Sequence, residues 1–582
     1  MAHGMPACRR RTGRTGRTGR TGRTGRTGRT GLPPPHRPGP MGGQPVRQLD
    51  RERPVSRMPR PQPAPIRPER PAGAAPSCPF RPDPHLQMSK SRRLFLLLFS
   101  AGLLSVGVAA AAELRVGAAT ADITPDRPVA LAGQFELRVS QKVDTPLQAS
   151  ALAVESWEGG RAGDRALFIA VDLVGIGESI VARLRERLGT VLPEVDARKV
   201  ILSATHTHTA PVTTEVQEEA VINYPIPKTG VMQPAEYVDF LIGRLAEAAK
   251  AAWTSRKTAG VSWTLGFAAI GENRRATYAD GSAIMYGPTA RADFRSMEAG
   301  SDAGVESLFF WDSEKNLIAL AVNLACPSQE MESSSNINAD FWHDARVQLR
   351  EKFKRPELPI VGWCSAAGDQ SPHPQYRKAA EERMARLRGL TRQQELGRRL
   401  AHAVVDTAEA AMRDIRTDVP FVHRIETLPL PARRISDREA RDARQAVESY
   451  REIAAGDNHA ATMLILQESV LRRHELGEKQ PPYPVELHVV RLGDVALATN
   501  PFELYLDYGI QIKGGSPTAQ TFLIQLANGS GIYLPTQRAI NGGSYSALPY
   551  VNKVGPEGGQ KLVEATLAAI RQLFPAPAPA GQ

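Results

Sequence analysis

From Leu114 onward, short runs of apolar residues alternate with segments whose apolar residues recur every three or four positions. The runs are typical of strands buried on both faces, and the periodic segments are typical of amphipathic helices. The predicted strands cover residues 149–155, 166–174, 200–202, 307–311, 317–324, 359–362, 485–492 and 495–499. The predicted helices cover residues 179–188, 235–253, 344–353, 378–413, 437–475 and 557–573. The alternation predicts an α/β fold of layered mixed β-sheets with flanking helices, in one large domain, 113–574, with 437–475 as a helical arm.

The first 87 residues do not follow this pattern. Seven consecutive Arg-Thr-Gly units occupy residues 11–31, and sequence rich in proline and arginine continues to about residue 84. Such a composition has too few apolar residues to form a core, so residues 1–87 are expected to be disordered if they are translated at all. A basic RNA-binding tail is the alternative, but the aromatic residues that would stack on bases are almost absent.

Residues 88–112 have the composition of a secretory signal peptide. A basic start is followed by an apolar run from Leu94 and by small residues at 109–112 that form a cleavage site. Because signal peptides lie at the start of a protein, translation is expected to begin at Met88 and the product to be secreted or periplasmic. Residues 91–96 also resemble a twin-arginine signal, although the leucine-rich core favours the general export route.

The charge of the chain is divided unevenly. Residues 1–112 hold 21 Lys and Arg against 4 Asp and Glu, whereas residues 113–582 hold 52 against 57. The part that is expected to fold is therefore slightly acidic, which argues against nucleic-acid binding by 113–574. Residues 575–582 are rich in proline and alanine and are expected to form a loose tail.

Two histidines directly follow one of the predicted strands. In an extended chain His206 and His208 project from the same face, about 7 Å apart. This spacing suits one metal ligand beside one acid/base group or hydrogen-bond donor. The alternative is a polar strand end that holds no metal.

Polar residues of catalytic type also follow other predicted strands, and each has an ordinary explanation. They are the loop 273–275, Cys326, the turn 366–372, Glu503, Tyr533 and Tyr545. The same residues would be found without any catalytic role. The loop would then be solvated, the thiol buried and the turn stabilised by its Asp, while the carboxylate would lie on the surface and the tyrosines would only pack.

The order and spacing of these segments resemble the catalytic domain of the neutral ceramidases, a family of zinc-dependent amidases. VGAATADITP at 116–125 resembles the family's opening strand and turn. SATHTHTAP at 203–211 resembles its THTHSGP segment, and AGDQSP at 367–372 its NxGDxSPN segment. NPFE at 500–503 resembles its PGE turn, and the tyrosines at the ends of 533–545 match a YVTT…YE element. The resemblance extends over nearly the whole chain after the signal peptide.

By this resemblance, a zinc ion is expected to be bound by His206, Glu503 and Tyr533. The family's second histidine ligand follows the strand that here leads into Cys326, and Cys326 takes its place. A thiolate is a good zinc ligand, but its negative charge would make zinc a weaker Lewis acid. The alternatives are a buried thiol or a disulfide between Cys326 and Cys364.

The remaining motif residues are implied to act on the substrate. His208 is expected to face the substrate and, with Tyr545, to donate to the oxyanion that forms at the acyl carbon, each donor contributing roughly 3 kcal/mol. Arg274 is expected to bind the scissile amide or a polar headgroup. Asp369 is expected to order its turn, and Ser371 occupies the position of a serine once proposed as the family's nucleophile.

The resemblance therefore implies an exported zinc-dependent hydrolase that cleaves the linear N-acyl amide of a sphingolipid or a related lipid-like substrate with metal-activated water. It implies no nucleic-acid partner and leaves open a transient contact with a membrane surface. The family's further β-sandwich domain has no counterpart after residue 574, so a substrate other than ceramide is also compatible. Two alternatives remain: a metal-dependent esterase or phosphoesterase on the same scaffold, and an exported binding protein inactivated by Cys326.

Overall fold

The structure, a computed structural model, describes residues 113–213 and 225–575. The predictions for residues 1–87, for the signal peptide 88–112 and for the tail from residue 576 lie outside the described residues.

The described residues form strands and helices that are numbered here in chain order. The strands are β1 (Glu113–Asp122), β2 (Ala130–Leu131), β3 (Arg138–Val139), β4 (Gln148–Glu158), β5 (Arg161–Val171), β6 (Val200–Ala204), β7 (Lys257–Phe267), β8 (Glu272–Asn273), β9 (Arg275–Tyr278), β10 (Ala283–Met285), β11 (Phe294–Met297), β12 (Gly304–Trp311), β13 (Leu317–Leu324), β14 (Ile360–Cys364), β15 (Gln370–Ser371), β16 (Phe421–Leu430), β17 (Tyr483–Leu492), β18 (Val495–Thr499), β19 (Phe502–Leu504), β20 (Gln520–Ile524) and β21 (Ile532–Leu534). The helices are α1 (Glu178–Val191), α2 (Pro234–Thr254), α3 (Phe341–Lys352), α4 (Lys378–Arg388), α5 (Arg392–Arg413), α6 (Asp437–Ile453), α7 (Asn458–Leu476), α8 (Leu506–Gly515), α9 (Gln537–Gly542) and α10 (Pro556–Leu573). Within the described ranges, no helix is both long enough and apolar enough to cross a membrane.

The larger sheet has eight strands in the order β14-β13-β12-β7-β1-β4-β5-β6. Neighbouring strands are antiparallel except at the two edges, where β13 pairs with β14 and β5 with β6 in parallel. The chain segments that follow β6, β13 and β14 contain most of the predicted site residues.

The strand β4 illustrates why its sequence is a continuous apolar run. Successive side chains of a strand point to opposite faces of the sheet. Ala149, Ala151 and Ala153 lie in the core beneath the helices α1 and α2, whereas Leu152 and Val154 lie in a second core on the other face. Both faces are covered, so neither set of positions is polar.

A four-stranded sheet, β16-β17-β18-β20, closes that second core. Phe168 and Leu308 from the larger sheet and Val490 and Phe522 from the smaller one belong to the same buried cluster. The helices α1, α2, α3 and α5 cover the outer face of the larger sheet, and α8 and α10 cover that of the smaller sheet. The layered α/β fold predicted from the sequence is confirmed.

The structure divides each of the two long predicted helices. The segment 378–413 is interrupted because Gly389 ends α4 in the left-handed conformation and Thr391 begins α5 with a capping box. The segment 437–475 is interrupted between α6 and α7, where the Asp457 side chain caps the second helix. Both interruptions coincide with short polar segments, residues 391–395 and 456–459, that contain no apolar residue.

Candidate active site

The segment that follows β6 is not extended at its first histidine. β6 ends at Ala204, and His206 has a left-handed backbone conformation with φ 72°. The expectation that His206 and His208 project side by side from an extended chain is therefore wrong. Their ring centroids lie 4.8 Å apart and nearly perpendicular, and their Nε2 atoms lie 3.4 Å apart. A non-glycine residue held in this conformation costs about 1–3 kcal/mol, and such strain is concentrated at functional sites.

Two parallel strands bring a carboxylate and a phenol to His206. β19 and β21 pair with Glu503 opposite Tyr533, so the two side chains lie next to each other. Glu503 Oε2 lies 3.2 Å from His206 Nε2. Burial would raise the pKa of Glu503, but His206 and Arg274 lower it below its ordinary value. Burial and then the charge of Glu503 raise the pKa of Tyr533 well above its ordinary value.

The hydrogen bond on the far side of His206 fixes the position of its proton. Nδ1 contacts the backbone carbonyl of Val174, which can only accept a hydrogen bond. Nδ1 therefore carries a proton, and Nε2 faces the Glu503 carboxylate. At 3.2 Å the contact between Nε2 and Oε2 is stabilised either by a second proton, in a hydrogen bond from Nε2, or by a metal cation bound to both atoms. A backbone carbonyl on the opposite ring nitrogen is also the usual way of orienting a metal-ligating histidine.

Arg274 lies between β8 and β9 and is buried in the site. Its Nη2 donates to the Tyr533 hydroxyl at 3.1 Å and to the Gly368 carbonyl at 2.9 Å, and its Nη1 donates to Gln329 Oε1 at 3.1 Å. Its Nε is buried without a hydrogen-bond partner among the described residues. An oxygen atom of a bound substrate would satisfy this donor.

The turn after β14 holds the loop of Arg274 against the strand of Glu503. A Cβ on Gly368 would lie 2.2 Å from the Glu503 carbonyl oxygen, so only glycine allows this approach. The Asp369 carboxylate accepts a hydrogen bond from Asn273 Nδ2 at 2.8 Å. Its backbone carbonyl accepts one from the Arg274 N–H at 2.9 Å. These contacts give Asp369 a positioning role.

Ser371 lies in β15, beside the site. Its Oγ accepts hydrogen bonds from the Tyr286 hydroxyl at 3.2 Å and from the backbone N–H of His373 at 3.1 Å. Within the described ranges, no hydrogen bond joins the Ser371 hydroxyl to a histidine side chain. A serine nucleophile needs such a base, so this arrangement leaves Ser371 without one.

Tyr545 packs edge-on against Tyr533, with ring centroids 5.7 Å apart. It also packs against Phe135 at 5.5 Å, and Phe135 contacts His459 of α7 at 5.9 Å. The helical arm, defined here as α6 and α7, therefore reaches the site at the start of α7. Burial raises the pKa of Tyr545 far above its ordinary value, so its phenol keeps its proton.

The structure adds Gln329, which the sequence did not single out. Its side chain is buried, and its Nε2 lies 2.7 Å from His208 Nε2. Burial, followed by the charges of His206 and Arg274, lowers the pKa of His208 well below its ordinary value, so the ring is neutral. No motif marks Gln329; its one sequence signal is its place three residues after Cys326.

Gly133 is a second residue that sequence reasoning missed. Its φ is +95°, and a Cβ there would lie 2.4 Å from Cγ of the His208 ring. Arg138 holds the same histidine from its backbone, donating from Nη2 to the His208 carbonyl at 2.7 Å. An isolated glycine and a single arginine of the two-residue strand β3 carry no sequence pattern that points to these roles.

Cys326 does not join this group. Its side chain lies in the apolar core beneath α3, and its Sγ contacts the carbonyl of the next residue at 3.4 Å. Cys326 and Cys364 are both buried free thiols. Among the residues that the structure describes, no three His, Cys, Asp or Glu side chains form a metal-binding cluster. No contact in the described part of the chain joins Cys326 to His206, Glu503 or Tyr533, and the role of Cys326 as a ligand stays a prediction.

Comparison with known proteins agrees with this architecture at low sequence identity. No protein-family model and no curated protein matches the chain. The solved neutral ceramidase from Pseudomonas aeruginosa is 16% identical, with a TM-score of 0.58 over 81% of this chain and 76% of that one. The chain has the neutral ceramidase fold. A ceramidase complexed with C2 is likewise 16% identical, with a TM-score of 0.57 over 81% of this chain and 77% of that one.

The sequence resemblance implies a zinc ion, and three of the four predicted ligands have donor atoms that suit it. His206, Glu503 and Tyr533 offer an imidazole nitrogen, a carboxylate oxygen and a phenol oxygen. Catalytic zinc sites commonly use three protein ligands and keep a fourth position open. The contact between His206 Nε2 and Glu503 Oε2 suits a cation that is bound to both atoms. Cys326 does not fit this set.

Proposed function

We propose that this protein is an exported zinc-dependent hydrolase that cleaves the N-acyl amide of a sphingolipid or a related lipid-like acyl amide. The observation that carries the proposal is the position of His206 Nε2, which lies 3.2 Å from Glu503 Oε2 and beside Tyr533, while Nδ1 on the far side of the ring contacts the Val174 carbonyl. These three residues would hold the zinc. When bound, zinc polarises the acyl carbonyl and lowers the pKa of a water molecule from about 15.7 to about 7.

The residues around these ligands supply the other functions that amide hydrolysis needs. The unpaired Nε–H of Arg274 binds an oxygen atom of the substrate. Tyr545 keeps its proton and is placed to donate it to the negative oxygen that forms at the acyl carbon. A donor that is already oriented in a buried site contributes about 3 kcal/mol to transition-state stabilisation.

A cavity of about 560 Å³ borders the site at Tyr286. Tyr286 connects the two, because its hydroxyl donates to Ser371 and its ring lies 5.9 Å from the guanidinium carbon of Arg274. The lining is mostly charged or polar and includes Glu330, His373, Lys378, Glu381 and Arg386. Such a lining favours a polar headgroup over an alkyl chain at this end of the substrate.

The proposal is tested first by metal content. The purified protein is expected to bind zinc stoichiometrically, and His206→Ala is expected to lose it. His402, an exposed residue of α5, provides the matched control, since His402→Ala should keep full zinc. Absence of zinc from zinc-supplemented wild-type protein would contradict the proposed site.

Turnover then separates the candidate reactions. Acyl amides, matched esters and phosphoesters with polar headgroups are offered to the zinc-loaded protein. Hydrolysis of the amides supports the proposal, whereas turnover of phosphoesters alone favours the phosphoesterase alternative. Zinc binding without any hydrolysis favours an exported binding protein. The burial of Cys326 in the apolar core beneath α3 weakens the argument from the cysteine for that alternative.

A further inference from the structure

Gln329 connects two residues of the site by hydrogen bonds. Its Oε1 accepts from Arg274 Nη1 at 3.1 Å, and its Nε2 lies 2.7 Å from His208 Nε2. The side chain is 1% exposed. The backbone carbonyl of Gln329 also contacts His373 Nε2 at 2.7 Å, so the residue is held from both of its ends.

Arg274 determines which way the amide of Gln329 points. A guanidinium has donors only, so the atom of Gln329 that faces it must be the amide oxygen. The amide nitrogen of Gln329 therefore faces His208. Because an amide NH₂ can only donate, His208 Nε2 must accept this hydrogen bond, and the proton of the neutral ring lies on Nδ1.

We propose that Gln329 is a positioning residue that holds His208 with its proton on Nδ1 and its Nε2 as a hydrogen-bond acceptor. Nδ1 is buried near Gly133, where a Cβ would lie 2.6 Å from it, and the Glu332 carboxylate lies 3.9 Å away. The expectation from sequence gave His208 the opposite role, as a donor to the oxyanion. In the structure Arg274 and Tyr545 remain as donors, and His208 is the acceptor of the site.

The inference has a consequence for the substrate, and this consequence rests on the proposed function. Nε2 has one lone pair, and the Gln329 amide occupies it. A substrate group that reaches this atom has to replace the amide N–H and must therefore be a donor itself. The N–H of a secondary amide, or a hydroxyl next to it, meets this requirement, and the oxygen of an ester does not.

The substitution Gln329→Glu reverses the hydrogen bond with almost no change in size. The carboxylate still accepts from Arg274, but it presents an oxygen acceptor to His208 in place of a donor. A proton is then required on Nε2. The expected readout is the ¹⁵N spectrum of histidine-labelled protein, in which the signals of His208 are assigned by their loss in His208→Gln.

In the wild type His208 is expected to show a protonated Nδ1 and an unprotonated Nε2. Gln329→Glu should convert the Nε2 signal to that of a protonated nitrogen. A wild-type spectrum with the proton on Nε2, or no change in Gln329→Glu, would overturn the inference. Gln467→Leu, a change at a buried glutamine of α7, is the control and should leave the His208 signals unchanged.

Kinetics provide a second readout on a matched amide and ester of the same acyl group. Gln329→Glu should lower kcat for the amide by about 10- to 100-fold and lower it less for the ester, so the amide-to-ester ratio falls. An unchanged ratio would count against the assigned role. If the wild type hydrolyses neither substrate, the proposed function fails, while the ¹⁵N spectrum still decides the role of Gln329.

Discussion

Replacing Gly133 with alanine tests whether the placement of His208 matters for catalysis. An added Cβ would lie 2.4 Å from Cγ and 2.6 Å from Nδ1 of the His208 ring. Carbon atoms in contact are normally about 3.5–4.0 Å apart, so the ring and the loop must separate by about 1 Å. Arg138 holds the backbone of His208 through a 2.7 Å hydrogen bond, so the ring itself is expected to move.

Two effects of the substitution have to be distinguished. The φ of +95° at Gly133 is unfavourable for alanine and is expected to cost about 1–3 kcal/mol of unfolding free energy. The displacement of the ring is a separate effect on activity, since a 1 Å misplacement of a catalytic group can lower the rate by about 100-fold. Zinc content should not change, because His208 is not among the proposed ligands.

Gly160 provides a control for the backbone effect alone. Its φ is +79°, and a Cβ there would meet no atom within 4 Å. Gly133→Ala and Gly160→Ala are compared by kcat/KM on an acyl amide, by zinc content and by thermal unfolding. Both should lose stability, but only Gly133→Ala should lose activity. Equal activity of the two variants would refute the reasoning that the ring of His208 must keep its place.

Two further predictions concern the ligand group and the pH dependence of stability. Tyr533→Phe keeps the ring that packs on Tyr545 but removes the phenol oxygen. Zinc affinity, measured by equilibrium dialysis, should therefore fall by about 10- to 100-fold. Full affinity in this variant would exclude Tyr533 as a ligand. Burial raises the pKa of Asp340 to about 7, so the folded state keeps a proton that the unfolded state has lost above about pH 4. The contribution of Asp340 to stability should therefore decrease as the pH rises from about 4 to 7, by about 1.4 kcal/mol per unit at most, and in denaturant titrations wild type and Asp340→Asn should differ in slope by that amount over this range.

The sequence predicted which residues form the site better than it predicted how they meet. His206, Glu503 and Tyr533 were found from motif order, and the structure brings them together through the register of β19 and β21. That register joins residues thirty positions apart, and no local periodicity encodes it. The extended geometry expected at His206 was wrong because a left-handed residue ends the regular strand geometry there.

Gln329 and Gly133 could not be found in the same way because their roles depend on contacts between distant segments. Gln329 is defined by its two partners, Arg274 and His208, which come from other strands. Gly133 is defined by the space that the His208 ring occupies. The layered fold could be predicted because burial on both faces of a strand leaves a continuous apolar run, which is a local property.

The position of Cys326 also changes the expected chemistry of the zinc. A thiolate from Cys326, added to the carboxylate of Glu503 and the oxygen of Tyr533, would surround the ion with up to three negative charges and weaken it as a Lewis acid. With Cys326 in the apolar core, the proposed ligand group would have one carboxylate, one imidazole and one phenol that accepts a hydrogen bond from Arg274. This group would be less negative than one that includes a thiolate.

The cysteine in place of the family's histidine is therefore a weak argument for loss of activity. Compared with a site that has a second histidine ligand, the proposed site has one neutral ligand fewer. Three protein ligands are enough for catalytic zinc. The stronger constraint is the charge balance at Tyr533, whose phenol must come close to the metal while Arg274 donates to it at 3.1 Å. A positive group at that distance favours the deprotonated phenol once a cation is bound, because both stabilise the same negative oxygen. Arg274 would then support zinc binding through Tyr533 and substrate binding through its free Nε–H, and Arg274→Lys, which keeps the charge but not both donor positions, should impair the two together.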